Sequence, residues 1–223
     1  MKTKIVVLTE AGVSAESGIA TFRDSNGLWE NHSVEAVASP AGWKRNSALV
    51  LEFYNQRRRQ LKMVEPNAAH IYLAKLEEKY VVTIITQNVD NLHERAGSSH
   101  IIHLHGSLTE VKSEKNDALI YPWTKDVKLG DLAEDGAQLR PNIVWFGEMV
   151  PKIEDAVREA KQADVFIVIG TSLQVYPAAS LMEYAPIGCP VYVIDPHLEL
   201  NDISENVHII HDNATNGVLQ LPL

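Results

Sequence analysis

Cysteine is almost absent from this chain of 223 residues, in which Cys189 is the only one. A single thiol excludes an intramolecular disulfide framework and a structural zinc site built on two or more thiolates. No apolar run approaches the roughly eighteen residues of a membrane span. The run Ile5–Leu8 is too short for a signal peptide. We therefore expect a soluble, cytoplasmic protein with no membrane partner.

Basic residues are also scarce, since 20 lysines and arginines face 29 acidic residues and leave a net charge of -9. This balance argues against a surface that attracts nucleic acid. Apolar residues make up 45% of the chain and charged residues 22%. Such a composition is typical of a globular protein and excludes disordered and fibrous classes. We expect a monomer.

Short β-branched runs alternate with helical patterns along most of the chain. The runs are apolar throughout, as in strands of a parallel sheet that are buried on both faces. The alternation predicts an α/β fold with a Rossmann-like, doubly wound parallel sheet. The predicted strands are Ile5–Leu8, Val81–Thr86, Ile101–Leu104, Ile143–Phe146, Val165–Ile169 and Val191–Ile194, and the predicted helices between them are Ala68–Lys79, Ile153–Gln162 and Ala178–Tyr184.

Two segments depart from this alternation. Residues 29–69 contain a long helical pattern at Ser47–Met63, and residues 107–142 are polar and irregular. We expect the two insertions to pack together as a second, smaller domain of helical and irregular structure. The larger domain would then comprise residues 1–28, 70–106 and 143–223.

The first strand leads into a glycine-bearing turn, Thr9-Glu-Ala-Gly-Val-Ser-Ala-Glu-Ser-Gly18. A strand, a turn and a helix start form a phosphate site, because free backbone N–H groups and the helix dipole point at the anion. In the dinucleotide pattern G-x-G-x-x-G/A, Gly12 and Ala15 fit the second and third positions, but Glu10 stands at the first. Taken alone, the turn is equally compatible with an ordinary βα connection.

A longer set of motifs carries a family resemblance. Ala11-Gly-Val-Ser-Ala-Glu-Ser-Gly-Ile-Ala-Thr-Phe-Arg-Asp24 resembles the first signature of the sirtuins, the NAD-dependent protein deacylases. The later blocks, which follow in the family's order over essentially the whole chain, are Thr86-Gln-Asn-Val-Asp-Asn-Leu-His-Glu-Arg-Ala-Gly97, His103-Leu-His-Gly106, Ile143-Val-Trp-Phe-Gly-Glu148 and Gly170-Thr-Ser172.

The resemblance implies a chemistry that consumes NAD as a cosubstrate. The carbonyl oxygen of an acyl-lysine attacks the nicotinamide ribose and nicotinamide leaves. A histidine then activates a ribose hydroxyl, and free lysine and acyl-ADP-ribose are released. The catalytic residues implied are His105, Asn88 and Asp90. From the residues alone, His103 would face the same side of a regular strand as His105, and Asn88-x-Asp90 could be a local capping turn.

The same resemblance implies the cosubstrate and substrate contacts. Phe22 and Arg23 would lie on a closing loop at Ile19–Trp29. The implied NAD contacts are Ala11, Gly12, Ala15, Phe22, Arg23, Gln87, Asn88, Asp90, Gly170, Thr171, Ser172, Asp195 and Ala214. Val144, Trp145 and Phe146 would pair with an extended substrate peptide of an acyl-lysine protein.

The long helix suggests which acyl group is removed. Its apolar residues at three- and four-residue steps include Val50, Phe53, Tyr54 and Leu61, and Arg57 lies on the same inward face. Arg58 and Arg59 are expected in solvent. Tyr54-x-x-Arg57, preceded by Ala38, resembles the sirtuin subclass that removes succinyl and malonyl groups, in which the pair binds the distal carboxylate.

Two features differ from the family pattern. Many sirtuins hold zinc through four cysteines in the insertion after the catalytic histidine, but residues 107–142 have neither cysteine nor histidine. We therefore predict a small domain without zinc or any other metal. Glu10 is expected to point outward, away from the pyrophosphate. Two alternatives stay open, a protein mono-ADP-ribosyltransferase and a nucleotide-binding protein whose catalysis is weakened by Glu10.

Overall fold

The computed structural model describes residues 2–19, 28–29, 32–171, 173, 175–198 and 204–223. The strands are β1 (Lys4–Thr9), β2 (Leu28–Trp29), β3 (His32–Ser33), β4 (Val81–Thr86), β5 (Ile101–His103), β6 (Gly106–Ser113), β7 (Ile120–Pro122), β8 (Leu139–Ile143), β9 (Val165–Ile169), β10 (Val191–Ile194) and β11 (Val207–Ile210). The helices are α1 (Ala11–Ala15), α2 (Val34–Val37), α3 (Pro40–Arg45), α4 (Ser47–Leu61), α5 (Ala68–Leu76), α6 (Leu92–Ala96), α7 (Ile153–Ala160) and α8 (Ala214–Gly217), with 3-10 helices at Ala178–Tyr184 and Val218–Gln220.

A parallel sheet of six strands, in the order β11-β10-β9-β1-β4-β5, forms the centre of the molecule. Alternate side chains of β1 enter two different cores, since Val6 and Leu8 pack on one face and Ile5 and Val7 on the other. Strands covered on both faces explain why the sequence has continuous apolar runs. The predicted Rossmann-like sheet is confirmed. The carboxyl ends of its strands lie at one edge of the sheet, and the candidate site is located there.

Two strand predictions were wrong. Ile143–Phe146 is not part of the parallel sheet, because the chain there continues from β8, which is antiparallel to β6. The sixth strand is instead β11, which the sequence analysis missed. It is a four-residue edge strand that is incompletely buried, so it lacks the continuous apolar run of a central strand.

The segment 107–142 was expected to be irregular, but it forms a three-stranded antiparallel sheet in the order β7-β6-β8. The register between β6 and β8 shifts between Ser107 and Val111. A bulge of this kind interrupts the alternation of apolar and polar residues. The two-residue period that would reveal the strand is therefore lost from the sequence.

The two insertions pack on one shared core, which contains residues of α4 such as Phe53 and residues of the small sheet such as Leu139. The division of the chain into two domains at the predicted boundaries stays a prediction. Two hydrogen bonds of one side-chain amide, the Asn55 clamp, join α4 to the segment after β7. The Asn55 side chain donates to the Val127 carbonyl at 2.9 Å and accepts from the Val127 N–H at 2.8 Å.

Arg58 was expected in solvent, and this was wrong, because it is only 2% exposed. Its Nε donates to the Leu108 carbonyl and its Nη1 to Asn55 Oδ1, both at 2.8 Å. Burial lowers the pKa of Arg58 to about 10, although the charge of Asp126 opposes this effect. Arg59 is on the surface as predicted, where it forms ion pairs with Glu52 and Asp126.

The described residues contain no group of three or more histidine, cysteine, aspartate or glutamate side chains that could hold a metal ion. Contacts such as the Asn55 clamp link α4 to the segment between β7 and β8. The absence of zinc stays a prediction, and metal analysis that finds one tightly held zinc per chain would contradict it. No helix in the described ranges is long and apolar enough to cross a bilayer.

Candidate active site

The carboxyl ends of β1 and β9 approach each other closely at one edge of the parallel sheet. Gly12, in α1 directly after β1, donates its N–H to the Gly170 carbonyl at 2.9 Å. A Cβ added to Gly12 would lie 2.5 Å from Gly170 Cα. Gly170 also has a positive φ of 65°, which favours glycine. The two predicted glycines are therefore required by the contact between these turns.

Asn88 and Asp90 follow β4 and converge on Ser14 of α1. Ser14 Oγ donates to Asp90 Oδ2 at 3.0 Å and accepts from Asn88 Nδ2 at 3.1 Å. The other oxygen of Asp90 accepts from the Leu92 N–H at 3.0 Å, so local capping is also present. Burial raises the pKa of Asp90, and the hydrogen bonds from Leu92 and Ser14 partly oppose this. Ser14 lies within the first motif, but nothing in the sequence indicates that it joins Asn88 to Asp90.

Gln87 offers a second indication that a polar ligand belongs here. Its side-chain amide is buried, yet neither Oε1 nor Nε2 has a hydrogen-bond partner within the described chain. Burying a side-chain amide without a hydrogen-bond partner costs about 1 to several kcal/mol of folding free energy. Gln87 lies between β4 and Asn88, at the carboxyl edge of the parallel sheet, where folds of this class bind their ligands. The residues present therefore fit a dinucleotide such as NAD.

The two histidines at the end of β5, His103 in the strand and His105 after it, differ in their hydrogen bonds and protonation. His103 Nδ1 lies 3.1 Å from the Asn88 carbonyl and its Nε2 lies 2.6 Å from Glu94 Oε1. Burial alone would lower the pKa of His103, but the hydrogen bond and charge of Glu94 outweigh it and raise the pKa. Both nitrogens of His103 are thus engaged as donors, and this ring has no lone pair left for a substrate.

His105 has the properties that a general base requires. Its Nδ1 lies 3.1 Å from the Gln87 carbonyl, and since a carbonyl can only accept, Nδ1 carries the proton. Burial lowers the pKa of His105, and the bond to Gln87 partly opposes this. The ring is therefore neutral near pH 7, with the lone pair on Nε2. This geometry suits proton abstraction from a hydroxyl.

Two more histidines are buried beneath the site. The rings of His70 and His93 lie 4.8 Å apart. His70 Nε2 is 3.4 Å from Ser14 Oγ, and His93 Nε2 is 3.1 Å from Thr9 Oγ1. Burial lowers the pKa of His70 to about 4. Burial also lowers the pKa of His93 well below its usual value, and repulsion from the protonated forms of His70 and His103 adds to this effect. Both rings are neutral supports for the residues above them.

These buried rings predict a loss of stability in acid. A histidine in the unfolded chain titrates near 6.5, so below this pH the unfolded state binds more protons than the folded state. The stability that comes from the neutral rings is complete above about pH 6.5 and falls as the pH approaches 4. Each histidine lowers the free energy of unfolding by up to about 1.4 kcal/mol per pH unit in this window.

Urea unfolding between about pH 7.5 and about pH 4 measures this slope. This range spans the pKa of histidine in the unfolded chain and the pKa of His70 in the folded protein. His70→Gln keeps polar atoms near Asn67 and Ser14 but does not titrate, so we expect it to reduce the slope by roughly one proton. His208→Gln, at an exposed position, is the control and should keep the slope of the parent. The same slope in all three proteins would contradict the assignment.

A loop after β8 contacts both His105 and Ala38 through its backbone. The N–H of Val144 donates to the His105 carbonyl and the N–H of Phe146 to the Ala38 carbonyl, each at 3.0 Å. The N–H of Trp145 donates to Glu148 Oε2 at 2.8 Å. All three N–H groups are occupied within the protein, so the pairing with a substrate strand, which stays a prediction, would have to use other backbone groups of these residues.

Arg140 holds this loop in place from β8. Its guanidinium forms two hydrogen bonds with Glu148, at 2.8 and 3.1 Å, and stacks 3.4 Å from the Trp145 ring centre. Hydrogen bonds from Arg140 and from the Trp145 N–H outweigh burial and lower the pKa of Glu148. The Trp145 side chain is buried, whereas Phe146 is 56% exposed, so Phe146 presents more apolar surface to solvent than Trp145 does.

Ala38, Tyr54 and Trp145 belong to one buried cluster. Tyr54 is fully buried, and its hydroxyl accepts from Trp145 Nε1 at 3.0 Å. Burial raises the pKa of Tyr54, so the phenol stays protonated. Arg57, one turn further along α4, is 8% exposed. Its Nη1 donates to the Phe53 carbonyl at 3.2 Å and its guanidinium lies 3.6 Å from the Phe53 ring centre. The predicted inward face of α4 is confirmed.

The other predicted contact residues have mixed environments. Asp195 is buried after β10 and accepts from the His197 N–H at 2.9 Å, while Thr171 Oγ1 accepts from the Leu173 N–H. Ala214 begins α8, which Thr215 ties to Glu16 beside α1. Ala11 is half-buried and Ala15 is exposed. Three predicted contacts lie outside the described residues, as does most of the predicted closing loop: Phe22, Arg23 and Ser172.

The outward direction expected for Glu10, away from the pyrophosphate, stays a prediction. Glu10 is half-buried, and its Oε2 is a buried atom. The backbone at this position is extended, with a φ of -134° and a ψ of -171°. Any residue can adopt this conformation, so the turn needs no glycine here. What matters at position 10 is therefore the charge and volume of the side chain.

A doubly wound parallel sheet with this arrangement of amide, carboxylate and neutral imidazole at its carboxyl edge defines a dinucleotide-using α/β enzyme. Comparison with known proteins identifies the family within this class. The family model of the Sir2 family matches residues 10–177. The chain belongs to the Sir2 family, and the predicted sirtuin resemblance is confirmed.

Related proteins and structures agree with this assignment. The chain is 58% identical to an "NAD-dependent protein deacylase" of Helicobacter pylori strain J99, covering 97% of this chain and 93% of that protein. It is 56% identical to a protein of the same name from Bacteroides thetaiotaomicron, with coverage of 97% and 95%. A solved Sir2 homologue–NAD complex superposes with a TM-score of 0.87 at 39% identity, covering 98% of this chain and 88% of that one.

Proposed function

We propose that this chain removes acyl groups from protein lysines in an NAD-dependent reaction, and that it acts on succinyl and malonyl groups as well as acetyl. The products are nicotinamide, free lysine and acyl-ADP-ribose. The names of the relatives and the NAD complex of the Sir2 homologue support the NAD-dependent deacylation. The acyl preference rests on the buried Arg57. The predicted monomeric state and cytoplasmic location stay predictions.

The roles of the residues follow from their surroundings. Asn88 and Asp90 are assigned to the nicotinamide and ribose end of the cosubstrate, with Ser14 fixing both side chains through its hydroxyl. Gln87 contributes its buried amide to the ribose hydroxyls. His105 Nε2 accepts the proton of a ribose hydroxyl, while Nδ1 keeps its bond to the Gln87 carbonyl. The neutral state of His105 makes this transfer possible near pH 7.

Arg57 is the residue we assign to the distal carboxylate of a succinyl or malonyl group. A guanidinium within an apolar cluster favours an anion, because a charge-assisted hydrogen bond there is stronger than in water. Tyr54 supports the pocket from its buried side. Since an indole N–H only donates, the bond from Trp145 leaves the single proton of the Tyr54 hydroxyl available for another acceptor. The small Ala38 leaves space beside this group.

One assay tests the proposal. The protein is incubated with acetyl-, malonyl- or succinyl-lysine peptide, with and without NAD, and the products are identified by mass spectrometry. We expect free lysine, nicotinamide and acyl-ADP-ribose in equal amounts, only when NAD is present. Turnover of the acetyl peptide alone would contradict the acyl preference. Nicotinamide with ADP-ribose attached to protein, and no free lysine, would contradict deacylation and indicate a mono-ADP-ribosyltransferase.

A further inference from the structure

His103 and Glu94 form an ion pair to which the proposed reaction gives no part. His103 Nε2 lies 2.6 Å from Glu94 Oε1, and its Nδ1 lies 3.1 Å from the Asn88 carbonyl. Burial would raise the pKa of Glu94, but the hydrogen bond and charge of His103 outweigh it and lower the pKa. A carbonyl and an ionised carboxylate can only accept, so both nitrogens of His103 carry protons and the ring is a cation.

This ion pair joins the chain on the two sides of Asp90. His103 contacts the carbonyl of Asn88, two residues before Asp90. On the other side, Asp90 Oδ1 accepts from the Leu92 N–H at the start of α6, and Glu94 lies in the first turn of that helix. The cation therefore belongs to the frame of the turn that carries two residues assigned to the cosubstrate, Asn88 and Asp90.

Burial works against the ionised form of Asp90, whose side chain is only 6% exposed. Burial raises the pKa of Asp90, two hydrogen bonds and the charge of His103 oppose this rise, and the charge of Glu94 adds to it. The ring of His93, on α6, also feels the charge of His103 but is itself neutral, because burial lowers its pKa far below the usual value. His103 thus supplies positive charge to the Asp90 carboxylate.

We propose that His103 is a positioning residue whose positive charge, secured by Glu94, keeps Asp90 ionised and holds the Asn88 carbonyl in place. In this role His103 acts through its two neighbours and takes no proton from a substrate. The proposal rests on the proposed function only for what Asn88 and Asp90 do with the cosubstrate. The ionisation of Asp90 is measurable without any reaction.

Two variants that both remove the ion pair separate the effect of charge from that of structure. His103→Asn can keep a donor to the Asn88 carbonyl but has no charge, so Asp90 should titrate at higher pH than in the parent. Glu94→Gln leaves the ring of His103 protonated in acid and removes a negative charge, so Asp90 should titrate at the same or a lower pH. ¹³C NMR of the labelled Asp90 carboxyl group in the full chain measures both shifts. A purely structural role would move both variants in the same direction.

The protonation of the ring is measured by ¹⁵N NMR in the same proteins. Both nitrogens of His103 should carry protons at pH 7 in the parent, and Glu94→Gln should lose one of them at a lower pH than the parent does. His208→Asn, at an exposed position, is the control and should change neither titration. A neutral His103 at pH 7 in the parent would overturn the proposal. So would an Asp90 titration that does not move to higher pH in His103→Asn.

Nicotinamide exchange with NAD and an acyl-lysine peptide gives a second readout. Since Asp90 acts as a carboxylate, the acid limb of the exchange rate should move to higher pH in His103→Asn but not in Glu94→Gln. A limb that moves by one pH unit lowers the rate about tenfold at a fixed pH below it. An unmoved limb in His103→Asn would overturn the positioning role. No exchange in any protein, with the expected NMR shifts, would reject the proposed function but support the effect of His103 on Asp90.

Discussion

Replacing His105 by alanine is expected to reduce acyl-ADP-ribose formation by about 10²- to 10⁴-fold, the usual contribution of a positioned general base. The reason is that His105 is the neutral imidazole at the site, with Nδ1 bonded to the Gln87 carbonyl and Nε2 left to accept a proton. Both nitrogens of His103 are engaged, and the neutral rings of His70 and His93 are buried against Ser14 and Thr9. Steady-state rates with an acyl-lysine peptide measure the loss.

The same variant separates the two halves of the reaction. Nicotinamide leaves before the ribose hydroxyl has to be deprotonated, so His105→Ala should still release or exchange nicotinamide at a measurable rate. His208→Ala, at an exposed position on β11, should behave as the parent in both measurements. Unchanged acyl-ADP-ribose formation by His105→Ala would remove His105 from the mechanism.

Replacing Arg57 by methionine is expected to lower kcat/KM for a succinyl-lysine peptide by roughly ten- to 150-fold relative to an acetyl-lysine peptide. This range corresponds to one charge-assisted hydrogen bond of about 1.5–3 kcal/mol. Methionine has a similar length and is apolar, so the packing against Phe53 is largely retained. Only the acidic acyl group loses a partner, and the acetyl reaction should change little.

Arg59→Met is the matched control for this measurement. Arg59 lies two residues further along α4, on the surface, with Glu52 and Asp126 as partners. Its removal should leave the ratio of the two activities unchanged. Equal losses on succinyl and acetyl peptides in Arg57→Met would discard the assignment of Arg57 to the acyl carboxylate, even if the protein remains an active deacylase.

Most of the parallel sheet could be predicted from the sequence, because burial on both faces leaves continuous apolar runs such as β1 and β9. Apolar runs do not reveal strands that are only partly buried. β11 is a short edge strand, and the bulge in β6 interrupts its two-residue period. The position of Arg58 was predicted wrongly for a different reason. One backbone acceptor, the Leu108 carbonyl, and one side-chain acceptor, Asn55 Oδ1, allow its guanidinium to be buried.

The candidate site was predicted from motifs more than from physical pattern. Strand periodicity left His103 and His105 equivalent, and only the pairing of His103 with Glu94 distinguishes them. Ser14 joins Asn88 to Asp90 across 74 and 76 residues of sequence, a relation that no local pattern contains.

The central claim is that the acyl-lysine carbonyl oxygen attacks the nicotinamide ribose at the edge formed by β1, β4 and β9. A succinyl-lysine peptide labelled with ¹⁸O in the amide carbonyl tests this directly. After a single turnover with NAD, the account predicts that the label is found in the ADP-ribose part of the product, on the anomeric carbon. Label retained entirely in the released acyl group, with solvent oxygen on the anomeric carbon, would contradict it.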